Sequence, residues 1–231
     1  MHRRRLLLPM ALLATLAGVL LATPSFAKDL PNPLGLRGYN LGMKLADARK
    51  LPHPDAELQK SDVKLGLTCT GESAALAIGL ALPPDSARDG SATSLCRFYA
   101  EDKDGIRQMP MNVGGHDAEV VLWFTPEKLP SATAARLYKI IVLADPANFD
   151  SLAEAYQSKF GKAKTGTIPG SNGSRPSRLL LWEDHRYELI AAQRMDVKGH
   201  TGGRTMIMYT YSTFEEVVKG MEKKKSGADK L

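Results

Sequence analysis

Cys69 and Cys96 are the only cysteines in the chain, and each falls inside a run with strand character. Residues 64–70 alternate so that Leu65, Leu67 and Cys69 share one face, and residues 95–100 place Cys96 and Phe98 together. An even pair of cysteines in an oxidising compartment predicts a disulfide. That bridge would close a loop of about 27 residues and stabilise the fold by roughly 3–4 kcal/mol through restriction of the unfolded chain. A redox or metal role fits the pair less well. The spacing is far from Cys-x-x-Cys, and no histidine cluster lies nearby in sequence.

The oxidising compartment is itself a sequence expectation. Met1-His2-Arg3-Arg4-Arg5 is a basic start, and residues 6–22 are apolar apart from Pro9, Thr15 and Gly18. Pro24 then breaks the run, and Ser25-Phe26-Ala27 puts small residues at the −3 and −1 positions of a cleavage site. These three parts predict a cleavable signal peptide over residues 1–27 and a mature chain from about Lys28 in the periplasm. The apolar run is shorter than the roughly 20 residues that cross a bilayer. It holds no cysteine for lipid attachment, and no second long apolar run follows, so no transmembrane segment is expected after cleavage. The basic start lacks the longer twin-arginine setting, which favours the general secretory route.

Export changes the charge argument. The whole chain carries +6. Removing residues 1–27 takes away three arginines and no acids, leaving 28 Lys and Arg against 25 Asp and Glu. A body this close to neutral is not an electrostatic platform for nucleic acid. Much of the remaining surplus sits near the C-terminus, at Lys219, Lys223, Lys224, Lys225 and Lys230, where it suits a solvated helix end.

Along the mature chain, residues 28–37 read as an extended lead-in with Pro31, Pro33 and Gly35. A short strand over 38–43 and a short helix over 44–51 follow, the helix ended by Pro52. Residues 72–82 are apolar without a clear period, and 83–93 form a polar loop. Asp104-Gly105 signals a hairpin turn into residues 106–111. Residues 119–125 and 136–144 are bulky strand runs. Asn148 is the expected N-cap of a helix whose Phe149, Leu152, Ala153, Tyr156 and Phe160 form one apolar stripe, closed by Gly161. Residues 162–176 read as an irregular Gly/Ser/Pro-rich loop. Residues 178–182 and 187–192 predict a hairpin, 199–203 a turn, and 204–211 a last strand. Thr213 to Glu216 has the pattern of a capping box, with Phe214, Val217, Val218 and Met221 as the stripe of a final helix.

Hairpins with few helices, and no β-α-β-α alternation, predict an α+β fold: antiparallel sheet or sheets with helices packed on one face. The order of elements repeats in outline, which predicts two similar βαβββ-type halves, 28–130 and 131–224, and a flexible tail over 225–231. Leu41-Gly42-Met43-Lys44-Leu45-Ala46-Asp47-Ala48 resembles the strand-to-helix start of domains in β-lactamase-inhibitor-like proteins and in the small lipoprotein of outer-membrane β-barrel assembly. Phe160-Gly161 is similar to the helix end of the same group. Lys44 stands where those proteins carry a capping Ser or Thr. The resemblance implies a small α+β module that binds other proteins and has no catalytic activity. With no cysteine for a lipid, it does not imply the lipoprotein's anchoring.

A search for chemistry yields no catalytic, cofactor-binding or metal-ligating residue. There is no Gly-x-Ser-x-Gly, and Gly170-Ser-Asn-Gly-Ser174 has no strand and helix to strain it. Gly199-His-Thr-Gly-Gly-Arg204 lies between strands, whereas a phosphate cradle leads into a helix. Asp102-Lys103-Asp104-Gly105 fails the spacing of a calcium loop, because Ala100 and Met111 fall at its first and twelfth positions. His116, Asp117 and Glu119 offer one histidine on a strand whose alternate residues diverge. His53, His185 and His200 read as isolated turn residues. Trp123, Phe124, Trp182, Tyr209 and Tyr211 read as core strand residues, or as a binding patch if one face is open.

The leading expectation is a non-enzymatic periplasmic protein that binds another protein or an envelope component. A small-ligand or lipid carrier and an envelope hydrolase with an unfamiliar site are the rivals. Peptide sequencing of the protein recovered from the envelope fraction is expected to find an N-terminus at about Lys28. Recovery of a chain that still begins at Met1 would overturn the cleavable signal.

Overall fold

In a computed structural model, the structure describes residues 30–56, 62–80, 93–127, 129, 133–169, 176–195 and 203–228, with side chains described up to Met221. The expected signal segment, the loop over 83–92 and His200 lie outside the described residues. So does the serine-rich stretch at 170–174.

The class is α+β, as the hairpin pattern predicts. A two-stranded ribbon, β1 (Gly35–Leu36) and β2 (Tyr39–Asn40), precedes a one-turn helix α1 (Leu45–Ala48). Then come β3 (Lys64–Cys69), the short α2 (Ser73–Ala77), β4 (Ser94–Asp102), β5 (Gly105–Gln108), β6 (Met111–Val113) and β7 (His116–Phe124). The second half supplies β8 (Leu137–Ala144), α3 (Phe149–Phe160), β9 (Lys164–Ile168), β10 (Ser177–Glu183), β11 (Tyr187–Met195), β12 (Arg204–Tyr211) and α4 (Ser212–Ala228).

The two halves share one ten-stranded antiparallel sheet, in the order β3-β4-β7-β8-β12-β11-β10-β9. β5 and β6 fill the wedge where β4 leaves β7: β5 pairs with β4 and β6 pairs with β7. The seam is β7–β8, where Val120 faces Val142 and Leu122 faces Ile140. The first half also crosses the seam at its N-terminus. The Gly42 amide donates to the Leu137 carbonyl at 2.7 Å, and the Leu137 amide donates to Met43 at 2.8 Å. Tyr187 on β11 donates to the Asn32 side chain at 2.9 Å. The stretch expected as an extended lead-in is therefore part of the core, with Leu30, Leu34 and Leu36 buried, as are Tyr39 and Leu41 just after it.

One face of the sheet carries α3. Its five stripe residues are all buried, as the spacing predicts. They share one core cluster with Leu122, Ile140, Val142, Leu180, Trp182, Leu189, Ile207 and Tyr209. Each such apolar side chain contributes roughly 1.5–3 kcal/mol on burial. The Tyr156 and Tyr209 hydroxyls hydrogen-bond each other inside this layer, which satisfies two polar groups in an apolar setting. The Trp182 indole N–H donates to the Gly161 carbonyl at 2.8 Å and so ties the helix end to β10.

Several local expectations are corrected. Asn148 makes no side-chain cap; Asp145 does, accepting from the Ala147 amide at 2.8 Å at the start of a 3-10 turn over Pro146–Asn148 that runs into α3. Asp145 wins because the extra turn moves the first free amides upstream. Residues 72–82 resolve in part into α2. Residues 162–176 are not a plain loop: Lys164–Ile168 pairs with β10 throughout. The last helix starts at Ser212, so Thr213 lies inside its first turn, and it continues to Ala228, into the segment expected as a flexible tail. α1 has no side-chain cap at Lys44.

Cys69 and Cys96 form the disulfide and sit directly opposite each other on β3 and β4. Both are buried. Glu72 holds the turn beyond it, accepting from the Cys69 amide at 3.1 Å and from the Thr68 hydroxyl at 3.0 Å, and it pairs with Arg49 next to α1. Replacing both cysteines by alanine is expected to lower the unfolding free energy by about 3–4 kcal/mol in urea titration. An unchanged midpoint would show that the bridge adds nothing to the β3–β4 pairing.

Candidate functional site

The strand alternation that aims Leu122, Ile140 and Tyr209 at α3 aims a second set of side chains the other way. On that outer face, register places Leu181, Ile190, Met208, Ile141 and Val121 in one row across five strands. Leu179, Ala192, Met206 and Leu143 form the next row. Val121, Leu143 and Ala192 are buried, whereas Leu179, Leu181, Ile190, Met206, Met208 and Ile141 stay partly exposed.

A charged row borders this stripe beneath the start of α4. Lys139 reaches Glu215 on α4 and lies 5.9 Å from the Trp123 ring. Lys219 also contacts Glu215, at 3.1 Å. Burial pushes the Glu215 carboxyl up, but the two lysines outweigh it and its pKa lies below the ordinary value. Glu188 sits on the same row opposite Glu183. Burial, followed by repulsion from Glu215 and Glu183, raises its pKa. Phe214 packs against Tyr211 with ring centroids 4.8 Å apart, and Val218 is buried. α4 is thus clamped over one border of the outer face.

The two outermost strands differ. β3 begins exposed but ends with Thr68 and Cys69 buried, where the chain turns into α2. Among the described residues β9 has one partner, β10, and its Lys164, Thr165, Gly166 and Thr167 are all exposed. Its only charged residue, Lys164, forms an ion pair with Glu183 on β10. Leu179 lies beside Gly166, close enough that an added Cβ would meet its Cδ2 at 3.5 Å, an ordinary contact. A strand edge of this kind presents unpaired backbone N–H and C=O groups to a further strand.

The residues with candidate chemistry are scattered. His116 meets the Ser151 hydroxyl at 2.9 Å, between β7 and α3. Asp102 accepts from the Asp104 amide at 2.9 Å and pairs with Arg107, as a hairpin turn would have it. His185 is exposed beside Arg186. Among the described residues, no three of His, Cys, Asp and Glu converge to hold a metal ion. Among them also, no helix is long and apolar enough to cross a membrane. Phe124, Trp182 and Tyr209 are core residues, while Trp123 and Tyr211 are only partly buried.

His53 departs from the turn expectation. It is buried, with its ring edge-on to Phe98 at 4.9 Å. Its Nδ1 accepts from the Asp55 amide at 3.1 Å. Asp55 is also buried, accepts from the Asn112 amide at 2.7 Å and pairs with Arg37 at 3.0 Å. Arg37, at φ 47°, donates in addition to the carbonyls of Asn112 and Pro54. These groups knit the β1–β2 ribbon, the 52–56 loop and β6 together, and Pro52-His53-Pro54 alone gave no sign of it. A depression of about 300 Å³ lies beside them, lined by Arg37, Leu51, Pro52 and His53 among others. A second, of about 420 Å³, lies by Lys44, Arg49, Glu127 and Thr133.

No protein-family profile, curated protein or solved structure matches the chain.

Burial lowers the His53 pKa and Arg37 lowers it further, against the Asp55 carboxylate and the Pro110 carbonyl, which raise it. The unfolded chain therefore binds this proton first, from about pH 6.5 downward. Stability is expected to fall with acidification from about pH 6.5 to the lower folded pKa, where the loss levels off. Urea titrations across that window should show a smaller slope for His53→Gln than for the wild type. Equal slopes would assign the acid sensitivity to other groups.

Proposed function

We propose that this is an exported, non-enzymatic binding protein of the periplasm that takes up an extended segment of another protein as an added strand along β9. The observation that carries the reading is the exposed β9 edge, paired on one side with β10. Strand addition draws its affinity from main-chain hydrogen bonds and its selectivity from alternate side-chain positions. Here one side offers Thr165 and Thr167. The other offers Gly166, with Leu179 beside it on β10, and Lys164, with Leu181 beside it. A bulky apolar residue of the incoming strand fits over Gly166, next to the partly exposed leucines.

The rival carrier reading draws less support from the fold, because Phe149, Leu152, Tyr156, Phe160, Trp182 and Tyr209 fill the layer between α3 and the sheet. The Cys69–Cys96 bridge is in keeping with an oxidising compartment.

The test is crosslinking of tagged mature protein in its native envelope fraction, with crosslinked peptides mapped by mass spectrometry. The expected result is a stoichiometric partner joined through residues 164–168, and loss of that product in Gly166→Lys, which sets a long charged side chain on the edge. A partner joined elsewhere, or captured equally by Gly166→Lys, would remove β9 from the function.

A further inference from the structure

We infer that the β9 edge is self-complementary and that a second copy of this chain pairs with it, β9 against β9, about a two-fold axis at Gly166. The inference rests on the strand-adding edge proposed above and names one occupant for it.

The argument is one of register. In an antiparallel pairing centred on Gly166, Thr165 of one copy faces Thr167 of the other, twice, and Lys164 faces Ile168, twice. Only this register pairs all five residues of the strand. Facing threonines form favourable cross-strand pairs, whereas facing like charges would oppose the contact. No like charges face each other here, because Lys164 stands at one end of the strand and meets an apolar residue. Its ammonium is already engaged by Glu183 in its own chain. A lysine on an edge ordinarily guards it against pairing, and the ion pair to Glu183 weakens that guard.

The centre of the axis is equally permissive. Gly166 puts no side chain between the copies, and the side chain next to it is Leu179. The two-fold brings both Leu179 side chains to either side of the glycine pair, while each Leu181 stands in the flanking row beside Lys164. The partly exposed outer rows of the two sheets then run on from one copy to the next. Such a dimer is isologous and closed, because each copy spends the same edge. A strand pair of this length buries less than the roughly 1,200 Å² of a standard stable interface. The association is therefore weak and concentration-dependent. A strand from another protein uses the same backbone groups, so it competes with the second copy.

Introduced thiols test the register directly. The Cys69–Cys96 bridge holds the native cysteines and none is free, so a single added cysteine is the only reactive thiol in the oxidised mature protein. Gly166→Cys places the two new thiols opposite each other across the axis, within reach of a disulfide or a short bismaleimide. It is expected to give roughly tenfold more crosslinked dimer than Lys164→Cys, whose thiols lie at opposite ends of the paired strands. Mixing Lys164→Cys with Ile168→Cys should restore the product. Sedimentation of the cysteine-free-edge wild type should show dimer rising with concentration, and Gly166→Lys, which sets two lysines face to face, should abolish it.

Equal crosslinking of Gly166→Cys and Lys164→Cys, or a chain that stays monomeric at hundreds of micromolar, would overturn the self-pairing. If the chain is monomeric but the envelope experiment still maps a partner to residues 164–168, only the second copy is wrong. If β9 crosslinks to neither, the strand-adding edge falls with it.

Discussion

The pairing of β7 with β8 is the contact on which the architecture depends. It joins the last strand of one half of the chain to the first strand of the other, across residues 125 to 136, and turns two sets of hairpins into one sheet. Val120, Leu122, Ile140 and Val142 at this seam are buried on the face that α3 covers. Without it neither half would have a continuous surface on which to lay α3. The residues before α1 reinforce the join, since the Gly42 and Met43 backbone hydrogen-bonds the start of β8.

The two faces of the sheet are finished differently. The α3 face is closed by aromatic packing, and its one buried hydroxyl pair is internally satisfied. The outer face is held at one border by the Lys139–Glu215–Lys219 contacts of α4, and beyond that border Leu179, Leu181 and Met206 remain partly exposed. The two edges are finished differently as well. β3 ends in a disulfide, a glutamate-braced turn and α2, while β9 stands beyond β10 with an exposed backbone and one neutralised charge. Partly exposed leucines and an exposed strand edge therefore occur together on the β9 side, where the proposed association would take place.

Elements with strong periodicity were legible in advance. The α3 stripe, β4, β8 and β12 follow from spacing alone, because each buries one face and the period is then read directly. β9 was hidden by its composition. Lys164-Thr-Gly-Thr-Ile168 sits among glycine, serine and proline, and a strand with no buried face carries no apolar alternation to read. His53 was hidden for the opposite reason. Its burial depends on Phe98, Asp55, Arg37 and Asn112, which lie in four separate segments. The N-cap of α3 was misplaced because the 3-10 turn at Pro146 moves the first unsatisfied amides to where Asp145, not Asn148, can reach them.

The sequence by itself determined the α+β class, the faces that most strands bury and the pairing of its two cysteines, because these rest on local periodicity and on the count of reactive groups. Tertiary structure decided that the two halves share one sheet, that the lead-in becomes core, that α4 closes only one border of the outer face, and that β9 is left as the open edge. Strand order and edge exposure are properties of which segments meet. Meeting is governed by the summed burial of residues far apart in the chain, which no local pattern encodes.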